Sequence, residues 1–442
     1  MSPQALPPLA EELNQRLEAA APEVLSMLSA LGRRLYFPKG ILSQSAEARE
    51  KAHRFDATIG IATEQGEPMH LASLRSSLGD GLAPAEVFPY APPGGQQQLR
   101  ERWREKALRE NPALRGKVFG LPLVTSAITH GLSLLGDLFV DPGDVLLLPD
   151  KLWGNYRLTF EVRLGARIET FPFYRGRGFD VDGFRDGLSR VAAEREKVVV
   201  LLNFPNNPTG YMPSEDEGHA IAAALIAQAE SGTRLLVVLD DAYFGLFYHL
   251  EGQTLTESLF GLVANAHPNL LAARLDGATK ELFVWGLRCG FLSLAPGRVQ
   301  GAEEVTAVLD AKLRGAIRSG ISSVPQLSQS LVSRALAHRE IERERAEKCA
   351  LLGARARRVR EVAEDARFRD SWEVYPFNSG YFMCVRLRGV EGETARLRLL
   401  AREGIGVIAS GGPDIRVAFS CLEVDDVQPL FEALHRVVGD LQ

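Results

Sequence analysis

Short apolar runs alternate with helical patterns between about Val118 and Ser293, and this alternation constrains the fold more than any other feature of the chain. Each run ends in or beside Pro, Gly, Asn or Asp. The runs are "VLLLP" (145–149), "KVVVLLNFP" (197–205), "RLLVVLDDAY" (234–243) and "LFVWGLRCGFLSL" (282–294). Such alternation is typical of a mostly parallel sheet covered by helices. We therefore predict an α/β fold, whose ligand should bind outside the carboxyl ends of the strands.

The flanking sequence predicts further units, because 442 residues exceed the size at which one core usually stops growing. The first fifty residues have helical periodicity, broken by "YFPKG" (36–40), and "FDATIGIATEQGEPM" indicates a strand that enters a turn. Helical sequence follows from Gln326 to about Arg369, and then "WEVYPFNSGYFMCVRL" and "DIRVAFS" indicate strands. We expect an N-terminal arm with part of a small domain (1–75), a large domain (76–325) and a C-terminal small α/β domain (326–442).

Composition narrows the kinds of partner. The formal net charge of -5 argues against a nucleic-acid surface or an anionic membrane as the main partner, which leaves small molecules and other copies of the chain. No apolar run approaches the roughly 18 residues that span a bilayer, and the start lacks a secretory pattern, so we expect a cytoplasmic protein. The four cysteines have neither metal-ligand spacing nor a disulfide framework, and we expect no metal.

Polar residues follow two of the apolar segments. In "LPLVTSAITH", Thr125 or Ser126 could cap a helix whose N–H groups at Ala127, Ile128 and Thr129 would bind an anion. The alternative is an ordinary capped helix. In "NFPNNPTG", Asn206 and Asn207 offer amide groups at a strand end, although a plain turn would also explain the prolines and the glycine.

Charged residues follow the other two segments. In "VVLDDAYF", a carboxylate buried at the strand end would need a cation or a protonated heterocycle, unless the two acids face water. In "LDGATKELFVWGLRCG", desolvation and Arg288 would lower the pKa of Lys280 and make it a nucleophile, unless Lys280 is a surface residue. Together the four segments offer an anion site, an amide donor, a carboxylate and a lysine with an arginine. A phosphorylated pyridine aldehyde could use all of these groups at once.

The sequence from the lysine onward has a specific spacing, with glycine, arginine and glycine six, eight and ten residues after it (Lys280, Gly286, Arg288 and Gly290). The motifs "NNPTG" and "DDAY" lie upstream of it. In this spacing and order the chain resembles the class I/II aminotransferases, the fold type I enzymes that depend on pyridoxal 5'-phosphate. The resemblance runs from about Gly60 to the C-terminus. It implies a large cofactor-binding domain and a smaller α/β domain.

The resemblance assigns the cofactor site residue by residue. It implies that Lys280 forms the Schiff base and then moves the proton, while Asp240 pairs with the pyridine nitrogen. Asp240 is favoured over its neighbour because the family places a tyrosine, here Tyr243, three residues after the functional aspartate. Asn207 and Tyr243 would bind the phenolic oxygen, and Trp153 would stack on the ring.

The phosphate and the substrate receive their own assignments from the same resemblance. Ala127, Ile128, Thr129 and Arg288 would hold the phosphate, and Tyr90 would reach the phosphate of a neighbouring subunit, which implies a homodimer with shared active sites. Arg416 and the N–H of Ala62, with Asn207 beside them, would bind the α-carboxylate. Arg318 could read a side-chain carboxylate from the neighbouring subunit, or serve only as a solvated cation at a helix end.

The chain departs from the family at two positions of the phosphate site. "SAIT" lacks the usual Gly or Ser at its middle positions, and Gly277 stands where a hydroxyl residue commonly touches the phosphate, so that contact is lost or replaced by the glycine N–H. The implied reaction is ping-pong transfer of an amino group between an L-amino acid and a 2-oxo acid, with glutamate and 2-oxoglutarate as one pair. A β-lyase or decarboxylase reaction on the same residues is the alternative, and a ligand-sensing module is a more distant one.

Overall fold

We analysed a computed structural model of the chain, which describes residues 6–20, 25, 28, 30–35, 41–79, 81–250, 252 and 254–442. The strands are β1 (Phe55–Asp56), β2 (Thr63–Glu64), β3 (Glu67–Pro68), β4 (Leu123–Thr125), β5 (Val145–Pro149), β6 (Arg167–Phe171), β7 (Tyr174–Arg175), β8 (Gly178–Phe179), β9 (Lys197–Asn203), β10 (Arg234–Asp240), β11 (Leu270–Gly277), β12 (Gly290–Ala295), β13 (Trp372–Val374), β14 (Phe382–Leu387), β15 (Ile405–Gly406), β16 (Ile408–Ala409) and β17 (Asp414–Ala418).

The α-helices are α1 (Pro8–Ala20), α2 (Ala30–Arg34), α3 (Ile41–Lys51), α4 (Ala72–Ser76), α5 (Pro84–Val87), α6 (Gln97–Glu110), α7 (Ala127–Phe139), α8 (Val181–Ala192), α9 (Glu215–Glu230), α10 (Leu259–Val263), α11 (Ala278–Glu281), α12 (Ala302–Gly320), α13 (Gln326–Ala337), α14 (Ile341–Ala363), α15 (Gly392–Glu403) and α16 (Val427–Gly439). A π-helical segment covers Arg157–Arg163. The break predicted at 36–40 lies outside the described residues.

The main sheet has seven strands in the order β4-β12-β11-β10-β9-β5-β6. All of them run parallel except β12, which is antiparallel to both of its neighbours. The central strands β9 and β10 are buried from their second residue onward, which explains their continuous runs of valine and leucine. The predicted mostly parallel sheet is confirmed. The carboxyl ends of β4, β5, β9, β10 and β11 therefore share one edge.

One segment of this sheet differs from the sequence prediction. The run 282–294 does not form one strand, because residues Trp285–Leu287 make a single helical turn and β12 begins only at Gly290. The strand that precedes Lys280 is instead β11, whose sequence "LLAARLDG" is buried beside β10. The charged Arg274 and Asp276 interrupt the apolar pattern of this strand, so the sequence does not indicate it. Arg274 can be buried there because it pairs with Asp241 and Asp276.

The C-terminal unit contains a second sheet, in the order β13-β14-β17-β16. The helix predicted from the charged run is α14, and the strands predicted around "GYFMCVRL" and "DIRVAFS" are β14 and β17. The N-terminal segment joins this unit, because β1 pairs in parallel with β15 and α3 packs on the same strand. The amphipathic helix α16 buries its apolar side in the small unit.

No helix within the described ranges is long and apolar enough to cross a membrane. Those same residues contain no group of three or more His, Cys, Asp or Glu side chains arranged to hold a metal ion.

Candidate active site

A cavity of about 300 Å³ opens at the carboxyl edge of the main sheet. All the predicted site residues line it except Tyr90, Ala62 and Arg318. The lining residues are Gly60, Ile61, Ala127, Ile128, Thr129, Trp153, Tyr156, Asn203, Asn207, Asp240, Ala242, Tyr243, Thr279, Lys280, Trp285, Arg288, Phe382 and Arg416. The four sequence segments that carry polar residues thus meet at one place, as parallel strands require.

Helix α7 presents its N-terminus to the cavity. The first N–H groups of any α-helix have no intrahelical partner and attract an anion. The expected side-chain cap is wrong, however, because neither Thr125 nor Ser126 caps the helix; the Thr125 hydroxyl donates instead to the carbonyl of Ala127 (3.0 Å). Ala127 itself has a φ of 61°, in the left-handed region, so the chain turns sharply as it enters the helix.

Gly290 allows this turn to lie close to β12. A Cβ atom at Gly290 would lie 2.8 Å from the carbonyl carbon of Ala127 and 2.9 Å from its Cα, which is too close for any side chain. Arg288, two residues earlier, has a φ of 50°, and its Nη1 donates to the Trp285 carbonyl (3.2 Å). The close approach of this loop to the start of α7 therefore requires a glycine at position 290, while Arg288 is held within the loop by its own hydrogen bond.

Lys280 lies in the short helix α11, directly after β11. Its Nζ is 5.2 Å from the centre of the Tyr243 ring. Burial lowers the pKa of Lys280 to about 8; Asp240 opposes this shift, and Arg288 adds to it. The alternative of an ordinary surface lysine is wrong, because Lys280 is only partly exposed and lines the cavity.

The two acids at the end of β10 face different surroundings, since neighbouring residues of a strand point to opposite sides. Asp241 pairs with Arg274 (2.6 Å), away from the cavity. Asp240 lines the cavity and accepts hydrogen bonds from the Tyr156 hydroxyl (2.6 Å) and the N–H of Ala242 (3.1 Å). Both carboxylates are buried, so the alternative in which they face water is wrong.

The pKa of Asp240 shows that the surrounding groups do not fully stabilise its charged form. Burial raises the pKa of Asp240, and the Tyr156 hydrogen bond, the charge of Lys280 and the Ala242 N–H oppose that rise without cancelling it. A cation placed near this carboxylate would stabilise its charged form. Asp240 is therefore ready to receive a positively charged partner from the cavity.

Arg416 forms the opposite wall. Its Nη1 donates to Asn207 Oδ1 (3.0 Å) and its Nη2 to the carbonyl of Thr58 (2.7 Å), while the guanidinium carbon lies 4.1 Å from the centre of the Phe382 ring. Its buried Nε has no hydrogen-bond partner in the described part of the chain. Burial lowers the pKa of Arg416. A buried guanidinium held only by neutral groups is complementary to an anionic ligand.

Asparagine side chains connect the strand ends. Asn203 accepts from the N–H of Asn207 (2.7 Å) and donates to the carbonyl of Asp240 (2.7 Å), so β9 holds both Asn207 and the end of β10 in place. Trp153 meets Tyr156 edge to face, with ring centres 5.5 Å apart. Of the predicted pair, Asn206 stabilises the turn itself, where its Oδ1 accepts from the N–H (3.1 Å) and the hydroxyl (2.8 Å) of Thr209, whereas Asn207 lines the cavity.

Sequence reasoning missed Tyr156. It follows Trp153 by three residues in "LWGNY", and its hydroxyl reaches Asp240 from β5's side of the cavity. The segment Arg157–Arg163 is π-helical, and π-helical turns frequently occur near functional sites, but nothing in the sequence singled out this tyrosine. Thr279, Trp285 and Phe382 were missed for the same reason.

Three predicted residues do not line the cavity of a single chain. Tyr90 is 94% exposed, and the exposed Arg318 donates to Ser322. Ala62 is buried just outside the cavity, where its carbonyl accepts from the N–H of Met69 (2.9 Å), and the neighbouring Gly60 and Ile61 line the cavity instead.

Comparison with known proteins agrees with this geometry. The sequence profile of the family described as aminotransferase class I and II matches residues 67–434. An aspartate/prephenate aminotransferase of Thermus thermophilus is 28% identical over 278 residues, which cover 60% of this chain and 64% of the relative. A probable aspartate/prephenate aminotransferase of Aquifex aeolicus is 31% identical over 157 residues, covering 35% of this chain and 36% of the relative. The chain thus spans less than two thirds of the length of these curated relatives.

Solved structures extend the similarity to almost the whole fold. An aminotransferase of Anaerococcus prevotii superposes with a TM-score of 0.81 at 20% identity, covering 93% of this chain and 99% of that one. A kynurenine aminotransferase of Pyrococcus horikoshii gives a TM-score of 0.78 at 17% identity, with coverage of 95% and 98%. The chain belongs to the class I and II aminotransferases, a family that depends on pyridoxal 5'-phosphate. The predicted family, fold and cofactor are therefore confirmed.

Proposed function

We propose that this protein moves an amino group between an L-amino acid and a 2-oxo acid, with bound pyridoxal 5'-phosphate, by a ping-pong mechanism. One observation carries the proposal. A lysine whose pKa is lowered to about 8, a buried carboxylate open to a cation and a buried guanidinium open to an anion line the same cavity. Amino transfer needs these three groups together.

The residues present fit the cofactor. The N-terminus of α7, at Ala127 to Thr129, and Arg288 are complementary to a phosphate, while Asp240 is complementary to a protonated ring nitrogen. Trp153 offers an aromatic face, and Asn207 and Tyr243 offer polar groups to a ring oxygen. When bound, pyridoxal 5'-phosphate supplies an electron sink that stabilises negative charge at the substrate's α-carbon.

The remaining roles follow from the chain's own side chains. Arg416, fixed by Asn207 and Thr58, would bind the substrate's α-carboxylate and so orient the α-carbon. The amine of Lys280 would attach the cofactor, and because its pKa lies near 8, it can both take and return a proton close to neutral pH. Lys280, Asp240 and Tyr243 are the catalytic residues of this proposal, and Ala62 remains a candidate N–H donor to the carboxylate.

We further propose a homodimer in which Tyr90 and Arg318 complete the partner's cavity. The exposure of both side chains in a single chain supports this arrangement.

Glutamate and 2-oxoglutarate are the proposed common pair, and Arg318 could bind their second carboxylate. The pairing of β1 with β15 supports the proposed association of the N-terminal arm (1–75) with the C-terminal small domain. The boundary between residues 325 and 326 is part of the same proposal. The four free cysteines fit a reducing, cytoplasmic environment.

A substrate panel tests the reaction. The purified holoenzyme would be mixed with glutamate and a series of 2-oxo acids, and the absorption of the bound cofactor and the amino-acid products would be followed. We expect a spectral change with the amino donor alone and its reversal by the oxo acid. Release of ammonia and pyruvate from an amino acid that carries a leaving group on its β-carbon, or of carbon dioxide from the amino donor, without any oxo acid would instead identify the β-lyase or decarboxylase alternative.

The ligand-sensing alternative needs a separate test. Lys280→Ala would remove the amine but keep the rest of the cavity. If the protein's biological activity survived this substitution, the role of the chain would be binding, and the enzymatic proposal would fail.

A further inference from the structure

Lys280 lies in a helix that is too short to hold its own position. Helix α11 has four residues, and an isolated helix of that length is not stable in water. Tertiary contacts must therefore fix the backbone of Lys280. One of them comes from Tyr381, whose hydroxyl donates to the carbonyl of Lys280 (2.9 Å). The side chain of the next residue, Glu281, supplies others.

Glu281 belongs to a closed ring of four charged side chains. Its Oε1 pairs with Lys106 Nζ (2.8 Å) and accepts a hydrogen bond from Arg345. On the other side of the ring, Glu110 pairs with Lys106 and accepts from Arg345 Nη1 (3.2 Å). Positive and negative charges therefore alternate around this charged ring, which consists of Lys106, Glu281, Arg345 and Glu110. The side chains of Lys106 and Glu281 are each only 3% exposed.

The charged ring joins three parts of the fold. Two of its members lie on α6, Glu281 ends α11, and Arg345 lies on α14, which packs on α16 of the small unit. The loop after β10 also meets the ring, because a Cβ atom at Gly245 would lie 2.9 Å from Glu281 Oε1. The small unit, which carries Arg416, thus contacts the residue directly after Lys280.

The charged ring is better suited to fixing a position than to adding stability. Burial of two charges costs free energy that their attraction often fails to repay, and apolar residues can frequently replace a buried ion pair without loss of stability. A buried ion pair nevertheless holds its partners in one geometry. Glu281 does not act on Lys280 through its charge, since the pKa of Lys280 is set by burial, Asp240 and Arg288.

We propose that Glu281 is a positioning residue, which anchors α11 to α6 and α14 and so places the amine of Lys280 where it attaches the cofactor. The inference rests on the proposed function, in which Lys280 carries the cofactor. It gives the small unit a second role besides binding a carboxylate through Arg416. Loss of the charged ring should leave the lysine chemically intact but misplaced.

The pH dependence of cofactor capture by the apoprotein separates position from charge. Glu281→Gln keeps the size of the side chain and removes its ion pairs. We expect the plateau rate above pH 8, per folded molecule, to fall at least about tenfold, because small displacements of a reacting group are costly, while the midpoint near pH 8 stays unchanged.

A matched control lies on the same helix as Arg345. Glu344 is also a buried acid of α14, but it accepts hydrogen bonds from Ser73 and does not contact α11. Glu344→Gln should therefore leave the plateau rate unchanged. Arg345→Gln breaks the charged ring from the side of α14, and it should lower the plateau rate as Glu281→Gln does. This second variant replaces the first if thermal unfolding shows that Glu281→Gln does not fold.

The plateau rate decides the role of Glu281. An unchanged plateau rate per folded molecule would overturn the positioning role, whether the unfolding temperature or the midpoint changes or not. An equal fall in Glu344→Gln would overturn it as well, because the effect would then not depend on the charged ring. A wild-type apoprotein that captures no pyridoxal 5'-phosphate at any pH would instead refute the proposed function itself.

Discussion

The Tyr156 hydroxyl donates a 2.6 Å hydrogen bond to Asp240 Oδ2, and both groups are buried. This contact opposes the rise in the pKa of Asp240 that burial causes. Tyr156 therefore favours the charged form of the carboxylate, which the proposed pairing with a cationic ring nitrogen requires, although Tyr156 is remote in sequence from the "DDAY" segment.

Tyr156→Phe should raise the pKa of Asp240 further and weaken its interaction with the cofactor. We expect kcat/KM to fall roughly tenfold, the effect of losing one hydrogen bond to a charged group. Steady-state kinetics across pH would show the loss most strongly at low pH, where Asp240 protonates first. Tyr174→Phe, which removes a half-buried hydroxyl bonded to the Pro376 carbonyl, should leave kcat/KM unchanged.

The neighbouring acids should respond oppositely to the same substitution. Asp240→Asn removes a buried charge that has no ion-pair partner among the described residues, so we expect a large loss of activity with an unfolding temperature equal to or above that of the wild type. Asp241→Asn leaves Arg274 with one acid fewer, and should cost about 3 kcal/mol of stability while the folded fraction stays active. Calorimetry and activity per folded molecule separate the two outcomes, and a reversed pattern would contradict the choice of Asp240.

The reactivity of Lys280 should depend on pH around 8. Below that value the amine is mostly protonated and cannot attack a carbonyl, and above it the amine is mostly neutral. The rate at which apoprotein captures pyridoxal 5'-phosphate, followed by absorbance, should rise about tenfold per pH unit below 8 and then level off. A rate that continues to rise to about pH 10 would show an ordinary, solvated lysine.

Arg416→Lys should damage recognition of the α-carboxylate, because an ammonium cannot form the planar two-point contact. We expect kcat/KM for the amino donor to fall at least about a hundredfold, which corresponds to roughly 3 kcal/mol. Amines without a carboxylate provide the internal control. If the variant lost activity toward them to the same degree, Arg416 would be a structural residue.

Two glycines after Lys280, Gly286 and Gly290, should differ in how well they tolerate substitution by alanine. Gly290→Ala places a Cβ atom 2.8 Å from the backbone of Ala127, so it should shift the start of α7 and weaken cofactor binding. Gly286→Ala meets no atom within 4 Å and should be nearly neutral. Cofactor titration of the two variants would check this contrast, and an equal effect would argue against a fixed approach of β12 to α7.

The sequence by itself predicted the parallel strands β5, β9 and β10, because their apolar runs have no competing pattern. It did not predict β11, whose Arg274 and Asp276 look exposed until the buried pairs with Asp241 and Trp103 are known. The family resemblance likewise predicted Lys280, Asp240 and Arg416 as site residues, and all three line the cavity, whereas the side-chain cap expected at Thr125 or Ser126 did not form.

The sequence alone determined the family, because the reactive residue types and their fixed spacing lie within short segments of the chain. Only the tertiary structure decided how those residues are supported. Tyr156 donates to Asp240 from the segment after β5, Asn207 accepts from Arg416 across the two units, and the Thr279 hydroxyl lies beside Gly277 without a hydrogen-bond partner among the described residues. Such contacts depend on which segments become neighbours when the chain folds, and the spacing of residues along the chain does not specify this.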